Sequence, residues 1–181
     1  MELFARTIKP LRARGLVGTL IATAVALTLS NTSTIAQKGR PPVKHPSVCG
    51  NPKVTCKTIV TFEPYNLPFR LPANAVIYDT ELFYAIILKS VPIADDNCQV
   101  FVPERERLAA QALFPDHKVF SSRCFEPGDL SYTNTKPNQR FMAVYGGITL
   151  VEANQMLAAV KATGKFPGAN LRRMRAEMNG T

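Results

Sequence analysis

The chain has 181 residues, 22 Lys and Arg against 13 Asp and Glu, and a formal net charge of +9. That length holds one domain with an ordinary core once a leader is set aside. The basic balance would suit nucleic acid as well as an anionic surface, but an export signal at the N-terminus argues against nucleic acid.

Residues 1–36 read as that signal. Arg6, Lys9, Arg12 and Arg14 form a basic n-region, Leu16 to Leu29 an apolar h-region, and Thr34-Ile35-Ala36 a small-residue cleavage site. The apolar run is short for a membrane span, which needs roughly 20 residues. No stable span is expected after cleavage. The leader carries four basic residues and one acidic (Glu2), so the remaining 145 residues hold 18 against 12, or +6. All four cysteines, Cys49, Cys56, Cys98 and Cys124, lie in that part. An even count in an exported chain predicts two disulfides. Three connectivities are open. The Gly50-Asn51-Pro52 turn favours Cys49–Cys56 and leaves Cys98–Cys124, while the spacing matches no zinc pattern.

Residues 37–53, rich in Pro, Lys and Gly, read as a flexible linker, and 54–80 as an N-terminal extension. Within the extension Val54 to Phe62 alternates as a strand, and Pro64 to Ala75 is irregular. Leu82 to Val91 is the most strand-like run, unbroken apolar at Tyr84 to Leu88, as a central strand would be. Pro103 to Phe114 is a helix. Pro103 opens it, Glu104 and Glu106 sit at its positive end, and Leu108, Ala109, Ala112 and Leu113 form its buried stripe. His117 to Cys124 is a second strand, and Glu126 to Gln139 a loop.

Phe141 to Tyr145 is a third strand, closed by Gly146 and Gly147. Thr149 and Glu152 make a capping box for a helix over Leu150 to Thr163, whose apolar stripe is Ala153, Met156, Leu157 and Val160. Gly164 supplies the left-handed residue that ends it. Asn170 to Ala176 is the last strand. Two strand–helix–strand units in series predict an α+β fold: a ferredoxin-like βαββαβ four-stranded antiparallel sheet over 81–177, with both helices on one face. Alternation puts Tyr84, Ile86, Leu88, Phe141, Ala143 and Tyr145 toward the helices. Ala85, Ile87, Lys89, Met142 and Val144 then point to the other face. That face is apolar, so it either meets a less polar ligand or is covered by Val54–Phe62 and the segment after it.

The two halves together resemble the SPOR (sporulation-related repeat) domain. The resemblance is carried by VYGGI, with Gly146 at the family's Gly and Ile148 at its usual Phe, by Ala153 in the helix, and by GKFPGANLRR at the helix exit. In the first strand Tyr84 and Ile86 fit, whereas Ile87 stands at the family's Gln, Lys89 at its Gly and Val91 at its Phe. The resemblance implies an exported bacterial module of the periplasm or cell envelope, without cofactor, whose sheet face binds peptidoglycan glycan strands. Together with the mature charge, it nominates Tyr84, Lys89, Met142, Arg172, Arg173 and Arg175 as ligand contacts. A protein-interaction or structural module with a covered face is the alternative.

Little suggests an enzyme. His45 lies in the linker, His117 beside a turn, and Asp95-Asp96 fits a turn before a helix. No phosphate loop or serine elbow is present. Arg172, Arg173 and Arg175 with Lys161 and Lys165 form one basic cluster. It serves either an anionic ligand or the protection of a sheet edge.

Overall fold

Ten consecutive residues, Phe83–Pro92 (β2), form the longest described strand, enclosed from Phe83 to Leu88 and largely exposed from Lys89 to Pro92. The computed structural model describes residues 44–58, 60–74, 76–94, 97–124 and 130–180. The expected leader, the first part of the expected linker and the Asp95-Asp96 pair lie outside these. The other described elements are β1 (Ile77–Asp79), α1 (Glu104–Leu113), β3 (Val119–Ser121), β4 (Leu130–Tyr132), β5 (Gln139–Gly147), α2 (Leu150–Ala162), β6 (Asn170–Met174) and β7 (Ala176–Asn179). They belong to one compact unit, Pro41–Thr181.

The fold is α+β, with two helices and antiparallel sheets. One sheet has four strands in the order β3-β5-β2-β6, and a second has three in the order β1-β7-β4. The second sheet was not expected. The segment Asn170–Ala176, expected as one strand, divides at Arg175. β6 pairs with β2 and β7 with β1 and β4. Thr133 holds the break, its hydroxyl accepting from Arg175 N–H at 2.8 Å and its N–H donating to the Arg175 carbonyl at 3.0 Å. β4 lies in what the sequence suggested was loop, since three residues between turn formers are too short for a periodic signal. Conversely, the described residues of Val54–Phe62 form no strand. Their alternation finds no partner strand, Val54 is 64% exposed, and Cys56 is tied back to Cys49 instead.

Helix α2 forms as its sequence dictates. The Thr149 hydroxyl accepts from Glu152 N–H, the Glu152 carboxylate accepts from Thr149 N–H, and Ala153, Met156 and Val160 are buried. These bonds, that from the Thr149 backbone foremost, hold the Glu152 carboxyl below its usual range. Gly164 ends the helix with φ +65°. Helix α1 departs from expectation. Leu108 is 54% exposed, and Arg107, Ala110 and Phe114 are buried instead. The face turns because Arg107 is anchored inward. Its Nη1 donates to the Val119 carbonyl at 3.0 Å and its Nη2 to Glu104 Oε1 at 2.6 Å. A paired, hydrogen-bonded guanidinium tolerates burial that an isolated charge would not.

Both faces of the four-stranded sheet are covered. Ile86, Leu88, Val119, Met142 and Val144 pack with Ala110, Phe114, Met156 and Val160 of the helical layer. Phe83, Ala85, Ile87, Phe120, Phe141 and Ala143 pack with Leu67, Phe69 and Leu71 and with Leu130, Tyr132 and Ala176. The phase expected for β5 is therefore reversed: Met142 and Val144 face the helices, Phe141 and Ala143 the other layer. Pairing of Ile86 with Val144 and Ile87 with Ala143 fixes this. Alternation could not, because both sets are apolar.

Two disulfides staple the fold, Cys49–Cys56 and Cys98–Cys124, with Cα atoms 5.8 and 4.9 Å apart. Part of the expected linker is bound in. Glu81 N–H donates to the Pro46 carbonyl, Cys49 N–H to Pro68, and Lys118 N–H to Gly50. Gly50 lies against the Tyr145 ring, where an added Cβ would stand 2.1 Å from ring carbons. That burial, with Glu152 and Glu81 nearby, raises the Tyr145 phenol to about 12.

Candidate functional site

The six nominated ligand contacts do not converge. Met142 packs in the helical layer at 2% exposure, which corrects its expected outward position, and it shares with Lys89 only the lining of the apolar groove described below. Lys89 is exposed on the helical side and ion-paired to Glu106 at 2.6 Å. A β-bulge between Ile87 and Lys89 shifts the register there, so simple alternation fails for that side chain. Tyr84 is half-buried, with the Arg173 guanidinium 5.7 Å from its ring centroid. Register places Arg173 beside Tyr84 and Arg172 beside Ala85, on opposite faces of the sheet. Arg175 is held at the junction of the sheets by Asp79 Oδ2 at 2.8 Å, and Asp79 Oδ1 also lies 3.3 Å from His45 Nδ1.

Of these residues Arg172 alone lines a polar cavity of about 210 Å³. The cavity opens on the sheet face opposite the helices, where the covering layer stops short of β6. Ile87 and Phe141 make its floor, 8% and 4% exposed. Asn170 and Arg172 stand on β6, and Asn134 and Lys136 belong to the loop after β4. Asn134 takes φ 56°, and its amide donates to the Arg173 carbonyl at 3.0 Å, which pins that loop against the strand. Among the described residues no carboxylate lines the cavity. Elsewhere Lys53, Lys89, Arg107, Arg123 and Arg175 each have a carboxylate within 4.0 Å, whereas no described ion pair includes Lys136 or Arg172. Two cations over an apolar floor suit an anionic group with some carbon attached. Sequence reasoning missed Asn134, Lys136 and Asn170. The polar run Asn134–Gln139 was visible, but nothing local said that it folds back over β6.

A second, more apolar groove of about 440 Å³ lies between α1 and residues 165–167, lined by Leu88, Ala109, Leu113, Met142, Phe166 and Pro167. The described remaining candidates, His117 and the cysteines, have structural partners, while Asp95-Asp96 lies outside the described residues. His117 Nδ1 lies 2.9 Å from the Tyr145 carbonyl, and all four cysteines are in disulfides. Among the described residues no group of three or more His, Cys, Asp and Glu is placed to hold a metal ion, and no helix is long and apolar enough to cross a membrane.

The geometry thus defines a disulfide-stapled α+β domain, filled on both sides of its main sheet, with a cationic cleft beside an edge strand. A wider cavity of about 810 Å³ lies near Lys44, Lys57 and Arg70 in the N-terminal segment. No family model, no curated protein and no solved structure matches the chain.

Proposed function

We propose that the protein is an exported, non-catalytic interaction module of the bacterial cell envelope that engages a protein partner. Two disulfides belong to an oxidising compartment outside the cytoplasm, and the leader-like residues 1–36 direct this reading to the periplasm or beyond. The strand order β3-β5-β2-β6 supports a ferredoxin-like βαββαβ unit with an added three-stranded sheet, and with it the SPOR-like resemblance.

The observation that carries the choice of partner is the covered face. A SPOR-type contact with peptidoglycan glycan uses an open sheet, and here Leu67, Phe69, Leu71 and Tyr132 occupy that ground. Recognition then falls to edges and grooves, which is how small modules take protein segments. Glycan remains the rival, confined to the cleft beside Arg172.

The test is retention of the exported protein on amidase-treated against intact sacculi at moderate salt, paired with photo-cross-linking from exposed Asn170 and Lys165. Exposed charge alone gives salt-sensitive retention blind to peptide content. The interaction reading expects equal or no retention on the two preparations and a discrete protein adduct. Salt-resistant preference for amidase-treated sacculi, without a protein adduct, overturns it.

A further inference from the structure

We infer that β6 and the cleft beside it dock an extended acidic segment of a partner protein, one carboxylate seating between Arg172 and Lys136; this rests on the interaction reading above. The two ends of the four-stranded sheet differ. At the β3 end, Lys118 N–H donates to Gly50 and Ser121 N–H to Tyr65, so the chain's own N-terminal segment closes that edge. At the β6 end, only the C-terminal part is closed, by Asn134 on the Arg173 carbonyl and Thr133 on Arg175. In an antiparallel strand outward-pointing peptide groups recur every second residue. The Arg173 carbonyl points outward, so the N–H and carbonyl of Leu171 do too, and no described hydrogen bond uses them.

An incoming strand therefore finds two main-chain bonds at Leu171 and a cationic cleft immediately beside it. Main-chain bonds supply affinity without sequence preference, and the side-chain cleft supplies selection. The selection is for negative charge, because Arg172 and Lys136 line the cleft and no described carboxylate does. Among the described residues the Arg172 guanidinium donates through Nε to Asn170 Oδ1 at 3.2 Å, which leaves the planar end of the fork for a carboxylate. A volume of about 210 Å³ fits one acidic side chain and its stem, not a folded surface. The apolar floor of Ile87 and Phe141 takes the methylenes of a Glu.

The probe is an end-blocked octapeptide of alternating Thr and Glu, titrated against the exported protein beside its Thr-Gln counterpart. Expected is saturable binding of the Glu peptide, at least about tenfold tighter than the Gln peptide, weakened about tenfold by Arg172→Gln and by Lys136→Gln. Arg173→Gln, on the other face, leaves it unchanged. A peptide N-methylated at alternate residues loses binding if the strand edge is used. Equal binding of Glu and Gln peptides, no binding at millimolar concentration, or indifference to Arg172→Gln overturns the inference. A protein adduct from Lys165 but none from Asn170 does so while leaving the interaction reading intact. Glycan retention without any protein adduct removes both.

Discussion

The two faces of the four-stranded sheet are filled by different kinds of cover. On one side lie two helices, α1 packed on β3, which follows it, and α2 on β5 and β6, which flank it, as well as on β2. On the other lie Leu67–Leu71 and the short strands β1, β4 and β7, brought from before, within and after the sheet's own sequence. The helices bury mostly small and unbranched or aliphatic residues at regular spacing, Ala110, Ala153, Met156 and Val160, with a single ring pair, Phe114 and Phe166 at 6.2 Å, among the described contacts on that side. The second cover relies on rings: Phe120 lies 5.1 Å from Tyr132, 6.1 Å from Phe141 and 6.4 Å from Phe83, centroid to centroid. Regular spacing lets a helix bury a stripe whatever its partner, while an irregular segment needs large side chains in specific places to fill the same space. A domain of this kind therefore has a second core that is long-range by construction.

The comparison breaks most directly at its centre. Phe120→Ala should lower stability by about 3–5 kcal/mol, and Met156→Ala on the helical side by about 2–3 kcal/mol. Both are read from urea midpoints with unchanged slope. A larger loss from Met156→Ala would mean that the second layer is only draped over the sheet.

That asymmetry also explains what the sequence disclosed. The period of 3.6 in Ala153, Met156 and Val160, the Thr149–Glu152 box and Gly164 marked α2 within its true limits, because each is a local device. The stripe of α1 was misplaced by a buried arginine, which no apolar count anticipates. The phase of β5 was lost because Phe141 to Val144 are apolar on both sides, the expected mark of a strand buried twice. Leu67, Phe69 and Leu71 lay in a segment with three prolines, where burial comes from distant rings rather than from period. The cleft was half visible: Arg172 could be named from charge, whereas Asn134 and Lys136 reach it only through the turn after β4.

The second-largest effect concerns the longer-range disulfide. Cys98 and Cys124 are 26 residues apart, and replacing both by Ser should cost about 3.5 kcal/mol if the bond acts on the unfolded chain. Removal of Cys49–Cys56, with its sequence separation of 7, should cost less, about 2.5 kcal/mol. Thermal unfolding of the two double variants decides the order. The reverse ranking would show that the short loop matters chiefly by fastening residues 46–50 against Tyr145.

A smaller effect isolates one bond in the second layer. Tyr132 is buried, its phenol pushed up by desolvation, and its hydroxyl accepts from Leu67 N–H at 3.1 Å. Tyr132→Phe keeps the ring contacts and leaves that N–H without a partner, so the expected loss is about 1–3 kcal/mol. Hydrogen exchange should accelerate at Leu67 before it does in α2. Unchanged exchange there would mean that the segment is held by its apolar side chains alone.

The smallest expected effect lies on the helical side and depends on pH. The hydrogen bonds from Arg107, aided by the charges of Arg107 and Arg123, hold the Glu104 carboxyl below its ordinary value of 4.5 despite partial burial. A carboxyl depressed in the folded state contributes stability that is complete above the unfolded value and is lost as pH falls through the folded one. The window therefore opens below about pH 4.5. Glu104 is 38% exposed at its side chain, so screening by solvent keeps the contribution small. Its protonation removes the counter-charge of Arg107, whose side chain is 4% exposed and keeps only the Val119 carbonyl as a neutral acceptor. Acid should thus loosen α1 where it meets β3. The measurement is exchange of α1 amides between pH 6 and pH 3.5, corrected for intrinsic rates, in the parent and in Glu104→Gln. The variant should be less protected at pH 6 and should change less on acidification, with Glu152, also depressed, supplying part of the remaining slope. Parallel curves for the two proteins would assign the acid sensitivity elsewhere and leave the buried arginine indifferent to its partner's charge.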